Sequence, residues 1–317
     1  MPFDTARLLD ELDLLHRRGA RTFKFVDRTF NLKVDTSRRI LEFFLERIEA
    51  APHDPVFAHF ELVPDHLPDR LRETIARFPA GALQFEIGIQ TWNPEVQKLI
   101  SRRQDDAKAE ANIRWLVAHT QAHLHVDLIA GLPGEDLASF GAGFDRLLAL
   151  GPHEIQLGIL KRLRGAPIAR HAETFGLRFN PDPPYNVLAT DRIPFTDMQR
   201  IALFAQLWDR VANSGRHAQA LSLMLRADRS AAGESAADED PTREASPCRR
   251  FMAFTDWMAA RDDGSGRWSE ERLRAAIGQW LREETGADRQ AVEAALAPAG
   301  AGRSERKRAG LERQSRR

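Results

Sequence analysis

Between residues 22 and 160, five short strand-like segments alternate with helical ones. No other feature restricts the chain so much. A strand that returns beside its predecessor after a helix pairs with it in parallel, so the repeat predicts an α/β fold with a parallel sheet. The strands read at 22–27, 56–62, 83–90, 123–129 and 154–160, and the helices between them at about 36–50, 68–78, 108–119 and 137–150. A first helix reads at 4–18, with Asp4 placed as N-cap and Gly19 where a C-terminal glycine belongs. Five such strands suit a partial or complete (βα) TIM-like barrel, or a doubly wound sheet. A βα repeat puts each helix after a strand, and here the chain opens on a helix. The expectation is therefore a core whose first strand and following loop are missing.

Past residue 160 the pattern changes. The core is expected over 1–165, followed by a proline-rich loop (165–193) and a helix at 195–214 within a closing segment, 166–227. The Ala-, Ser-, Gly- and acid-rich stretch 228–246 reads as a disordered linker. Three helices are expected in a C-terminal domain at 247–297, and the tail 298–317, rich in arginine, reads as a solvated end. The 317 residues carry 46 basic and 46 acidic side chains, and this balance excludes binding of polyanions by bulk positive charge. Membrane association is not expected either, because no apolar run approaches the ~20 residues of a membrane helix. The N-terminus has neither the basic start nor the apolar stretch of a signal peptide, so a cytoplasmic protein is expected. One cysteine, Cys248, leaves no disulfide framework and no cage of thiolates.

Parallel strands covered by helices are normally apolar on both faces. Here each carries polar residues of one parity. Gln84, Glu86, Gly88 and Gln90 oppose Leu83, Phe85, Ile87 and Ile89; His59 pairs with Glu61; His123, His125 and Asp127 share a face; Asp27 follows Phe23 and Phe25; Gln156 falls beside Gly158. Burying so many polar groups costs about 1–3 kcal/mol for each one left unpaired. A lumen that holds a polar ligand accounts for all five strands at once, and a self-satisfied network with trapped water is the plainer alternative. Gln90 suits a hydroxyl, Arg102 a carboxylate or phosphate, and Asp127 a ribose diol. A metal-dependent hydrolase using His59, Glu61, His125 and Asp127 is a competing reading, as is a non-catalytic remnant or binding module.

Five segments, in order, then resemble one family: FKFVDRTFN (23–31), HFELVPDHL (59–67), FEIGIQTWNPEVQKLISR (85–102), VDLIAGLPGE (126–135) and LGILKRLRGAPI (157–168). They are similar to the radical S-adenosylmethionine (SAM) enzymes, in the subgroup that joins a cobalamin-binding domain to the radical core and a helical C-terminal domain of DUF4080 type. The resemblance implies a partial barrel with S-adenosylmethionine in its lumen. Gln90 and Asp127 would hold the ribose, Arg102 the methionine carboxylate and Glu61 the amino group. Asp27 would meet the methionyl end, Glu86 cofactor or substrate, and the backbone around Ile129 and Gly131 the adenine. It also implies a [4Fe-4S] cluster on a CxxxCxxC loop, which this sequence lacks. The expectation is thus a radical SAM-type enzyme truncated before that loop and inactive as the chain stands, with 5′-deoxyadenosyl radical formation or cobalamin-linked methyl transfer in the intact protein.

Overall fold

The computed structural model describes residues 4–226, 246–261 and 268–297; the expected linker, except its last residue Ser246, and the expected basic tail lie outside them. Five strands form one sheet in the order β1-β2-β3-β4-β5: Thr22–Lys24, Phe57–Leu62, Leu83–Gln90, His123–Ala130 and Glu154–Ile159. The pairings of β1 through β4 are parallel. The doubly wound alternative fails on this order. A strand order that never reverses, with right-handed crossovers, keeps every connecting helix on one face. The opposite face is left to the polar side chains. The fold is thus a parallel α/β sheet of the TIM-like kind, accompanied by a helical C-terminal region.

The chain divides into two compact units. The first comprises Met1–Leu128 and Leu147–Gln156. Its helices are α1 (Thr5–Arg17), α2 (Val34–Ala50), α3 (Asp69–Ile75), α4 (Pro94–Leu99) and α5 (Asp106–His119). Asp4 caps α1 as expected, accepting from the Ala6 amide at 3.0 Å, and Gly19 takes φ +98° after the helix. Ile40, Leu41, Phe44, Leu45 and Ile48 recur at helical spacing on α2 and are buried. Phe44 meets a phenylalanine cluster in which Phe60 stacks on Phe30 and Phe25, with centroids 3.9 and 4.5 Å apart.

Strand β1 is shorter than the expected 22–27. The Phe25 amide still donates to the His59 carbonyl at 2.9 Å. Beyond it, Asp27 accepts from the backbone and hydroxyl of Thr29 at 2.9 and 2.8 Å, which turns the chain into a 3-10 turn, Phe30–Leu32. Fully buried Asn31 then ties this turn to the end of β2. Its amide donates to the carbonyls of Val63 (2.8 Å) and His66, and its carbonyl accepts from the Val63 amide at 2.9 Å.

The second unit comprises Ile129–Arg146 and Leu157–Arg317. It contains the end of β4, most of α6 (Leu137–Leu148), then β6 (Arg178–Phe179), β7 (Val187–Ala189) and α7 (Phe195–Trp208). Next come α8 (Ala218–Leu225), α9 (Pro247–Ala259), α10 (Glu270–Glu284) and α11 (Arg289–Leu296). The expected loop at 165–193 thus contains a two-stranded antiparallel ribbon, because the strands are too short for proline-flanked sequence to reveal them. The helix expected at 195–214 runs as α7 and then widens into a π turn at Asp209–Asn213. Helix α8 lies within the closing segment expected at 166–227, where no helix beyond 195–214 was given bounds. The core is aromatic: Phe144, Phe204, Trp208 and Phe251 meet edge to face, with centroids 4.7 to 5.3 Å apart. No described helix is long and apolar enough to cross a membrane.

Candidate functional site

The strand alternation carries through to burial. On β3, Leu83, Phe85, Ile87 and Ile89 are at most 1% exposed, while Gln84, Glu86, Gly88 and Gln90 are half-buried. On β4, Leu124, Val126 and Leu128 are buried, and His123, His125 and Asp127 are half-buried. Register aligns the polar residues in rows across the sheet of the first unit. Lys24, His59, Gln84 and His123 make one row; Glu61, Glu86 and His125 the next; Gly88 and Asp127 a third.

These rows concentrate negative charge. Glu61 lies directly opposite Glu86, a like-charged pair that disfavours the bare sheet. The ammonium of exposed Lys24 lies 4.0 Å from a Glu86 oxygen. His59 Nε2 lies 3.4 Å from the same oxygen, but burial and Lys24 push its pKa down and disfavour its charged form. Burial first, then the carboxylates of Glu86 and Glu61, push Asp127 up to about 7. His125 Nε2 is 3.8 Å from the Asp127 carboxylate, too far for a hydrogen bond.

Three buried polar atoms on this face have no hydrogen-bond partner among the described residues: His59 Nε2, Gln90 Oε1 and Asp127 Oδ1. Gln90 sits at a register shift between β3 and β4, with φ +68°, the left-handed region that a side chain seldom adopts. Its amide lies over Gly88, where a Cβ would come within 2.4 Å of Gln90 Nε2, so Gly88 makes room for Gln90. Arg102 secures this bend. Its guanidinium donates to the Gly88 carbonyl and, through Nε, to Gln104 at 3.0 Å. Burial holds its pKa below the usual arginine value. Asn93 caps α4 immediately after the bend, accepting from the amides of Glu95 and Val96.

Glu61, Glu86, Gln90 and Asp127 therefore share one strand face, and Arg102 reaches the end of β3 beside them. Asp27 does not join them: it is exposed, beyond the end of β1, and its carboxylate is engaged by Thr29. Ile129 and Gly131 belong to the second unit. Gly131, at φ +83°, is buried, and a Cβ there would fall 2.5 Å from Val187 and 3.3 Å from Met198. Lys24 was not singled out in the sequence. Its position in register with His59 on the short edge strand was the available signal. Among the described residues, no three His, Cys, Asp or Glu side chains converge as metal ligands, so His59, Glu61, His125 and Asp127 are not gathered as a ligand set.

Comparison with known proteins fits these motifs. The family model of the radical SAM superfamily matches residues 2–147. Residues 2–147 thus resemble a radical SAM domain. Behind that domain, a protein family of unknown function, DUF4080, matches residues 173–232. Anaerobilin synthase of Escherichia coli O157:H7 is 33% identical over 94 residues, 30% of this chain and 21% of that protein. Oxygen-independent coproporphyrinogen III oxidase of Paracoccus denitrificans is 29% identical over 97 residues, 31% of this chain and 21% of that protein. The chain thus spans about a fifth of the length of these curated relatives. A radical S-adenosylmethionine methyltransferase, TsrM of Kitasatospora setae, solved with cobalamin and a [4Fe-4S] cluster, aligns over 57% of this chain and 37% of its own, with 19% identity and a TM-score of 0.46.

The family implies S-adenosylmethionine and a [4Fe-4S] cluster, and the residues present fit only the first. Orphaned acceptors on Gln90 and Asp127 suit a ligand with hydroxyl donors, and the excess of carboxylates suits a cation. A cluster needs several thiolates. The sequence has one cysteine, Cys248, buried on α9 in the second unit, and burial pushes its thiol up to about 12.

Proposed function

We propose that the polar face of the radical SAM domain binds S-adenosylmethionine and serves chemistry of the radical SAM type. The three unpartnered buried atoms carry this reading. Left so, each costs about 1–3 kcal/mol, and a ligand that supplies partners removes the cost. Asp127 holds the ribose diol through its carboxylate, and Gln90, fixed by its left-handed backbone, accepts a further hydroxyl. Glu61 attracts the amino group of the methionyl end. Arg102 holds the bend at Gly88 and meets the carboxylate with its remaining N–H groups. Glu86 offsets the positive sulfonium together with Glu61. When bound, S-adenosylmethionine supplies a 5′-deoxyadenosyl group or an activated methyl group. These 317 residues have no set of thiolates for a cluster, so no step through one is assigned to them.

Radical formation and cobalamin-linked methyl transfer are the two forms this chemistry takes in the proposal. Isothermal titration calorimetry of the chain with S-adenosylmethionine tests the binding. Saturable binding is expected, and Asp127→Ala should weaken it by about 1.5–3 kcal/mol, the worth of a hydrogen bond to a charged group. Equal affinity in the variant removes the ribose role.

A further inference from the structure

Most arginines of this chain whose contacts are known meet a carboxylate; Arg21, Arg47, Arg70, Arg200 and Arg289 are examples, at 2.6 to 2.9 Å. The ribbon of the second unit is different. Residues 161–192 hold six lysines and arginines against three carboxylates, in a chain whose overall charge is zero. Lys161, Arg162 and Arg164 are all exposed, as is Arg178, and none of these four meets a carboxylate among the described residues.

Their placement is built, not loose. Strand β7 is flanked on both sides. On one, the Val187 amide donates to the Leu160 carbonyl at 2.7 Å, Lys161 bridges Asn186, and the Arg162 amide donates to the Tyr185 carbonyl at 2.9 Å. On the other, Arg178 pairs with Ala189 and Phe179 with Val187. The Arg162 guanidinium lies 5.7 Å from the centre of the Phe179 ring, so it is held across the ribbon. Leu163, 58% exposed, and Tyr185, 39% exposed, add apolar surface between the charges. Three positive side chains within four residues repel one another, and a multivalent anion relieves that repulsion. Guanidinium groups also match the geometry of carboxylate and phosphate oxygens.

We propose that this ribbon binds a ligand carrying several oxyanion groups, carboxylate or phosphate, through Lys161, Arg162 and Arg164, with Tyr185 and Leu163 receiving its apolar part. The inference stands apart from the reading of the strand face. Calorimetric titration of the full chain with citrate and with inorganic triphosphate tests it. Binding of either is expected at low ionic strength, falling steeply as sodium chloride is added. The double variant Arg162→Gln, Arg164→Gln should bind at least about tenfold more weakly, whereas Arg289→Gln, an exposed arginine elsewhere, should bind as the parent does. Binding of citrate alone assigns carboxylates, of triphosphate alone phosphates, and of both a general oxyanion site. No binding of either probe, or equal binding by the double variant with unchanged circular dichroism, overturns the proposal.

Discussion

At the scale of single residues, Asp127 concentrates the physical argument. Its carboxyl binds a proton more tightly in the folded chain than its ordinary value of 3.8 allows, up to about 7. Between these limits the native state holds more protons than the unfolded one, so stability falls as pH rises through the window. Asp127→Asn should flatten that dependence, as read from urea midpoints at pH 4.5 and 7.5. Ionised Asp127 is also the better acceptor. S-adenosylmethionine affinity should therefore climb from pH 5.5 toward about 7 and then level off, with no climb in Asp127→Asn. Titrations at these pH values check it, and an identical profile in the variant contradicts it. Arg102→Ala should weaken the same binding, while Arg170→Ala, outside the motifs, should leave it unchanged. Parity along the strands was enough to read Glu61, Glu86, Gln90 and Asp127 onto one face. Parity did not exclude Asp27, because an Asx turn that ends a strand looks in sequence like one more alternating position.

At the scale of elements, the turn after β1 decides where β2 ends. Asn31 is wholly buried and makes three hydrogen bonds to the backbone of Val63 and His66. Asn31→Ala strands those groups, so a loss of about 1–3 kcal/mol is expected in denaturant unfolding, larger than for an exposed alanine substitution. A cost near zero would show that water replaces the side chain freely. Strands β2 to β5 were legible because hydrophobic periodicity over six to eight residues is a strong signal, and β1 was read longer than its three residues. The ribbon at 178–189 was not: two- and three-residue strands have no period to detect, and their proline-flanked sequence reads as loop. The π turn after α7 was hidden for a related reason, since its sequence keeps helical spacing.

For the whole molecule, the number of thiols sets the chemistry. With a single buried cysteine, the purified 317-residue chain treated with iron and sulfide under anaerobic conditions should show no [4Fe-4S] absorbance. With S-adenosylmethionine and dithionite it should release no 5′-deoxyadenosine. Cluster absorbance that survives desalting would refute this. The sequence-order sheet was foreseeable from the repeat; the DUF4080 match follows the radical SAM match, as the resemblance implied, but falls on 173–232, before the helical domain expected at 247–297. How the chain outside the sheet would fold was only partly legible, because helical periodicity locates helices without saying which aromatic rings of Phe144, Phe204, Trp208 and Phe251 will meet.

A crystal structure of this chain grown with S-adenosylmethionine addresses the central claim most directly. The ligand should lie over the polar face, with its ribose hydroxyls within hydrogen-bond distance of the Asp127 carboxylate and the Gln90 carbonyl oxygen. A ligand seated elsewhere, with those two acceptors still unpartnered, would contradict it.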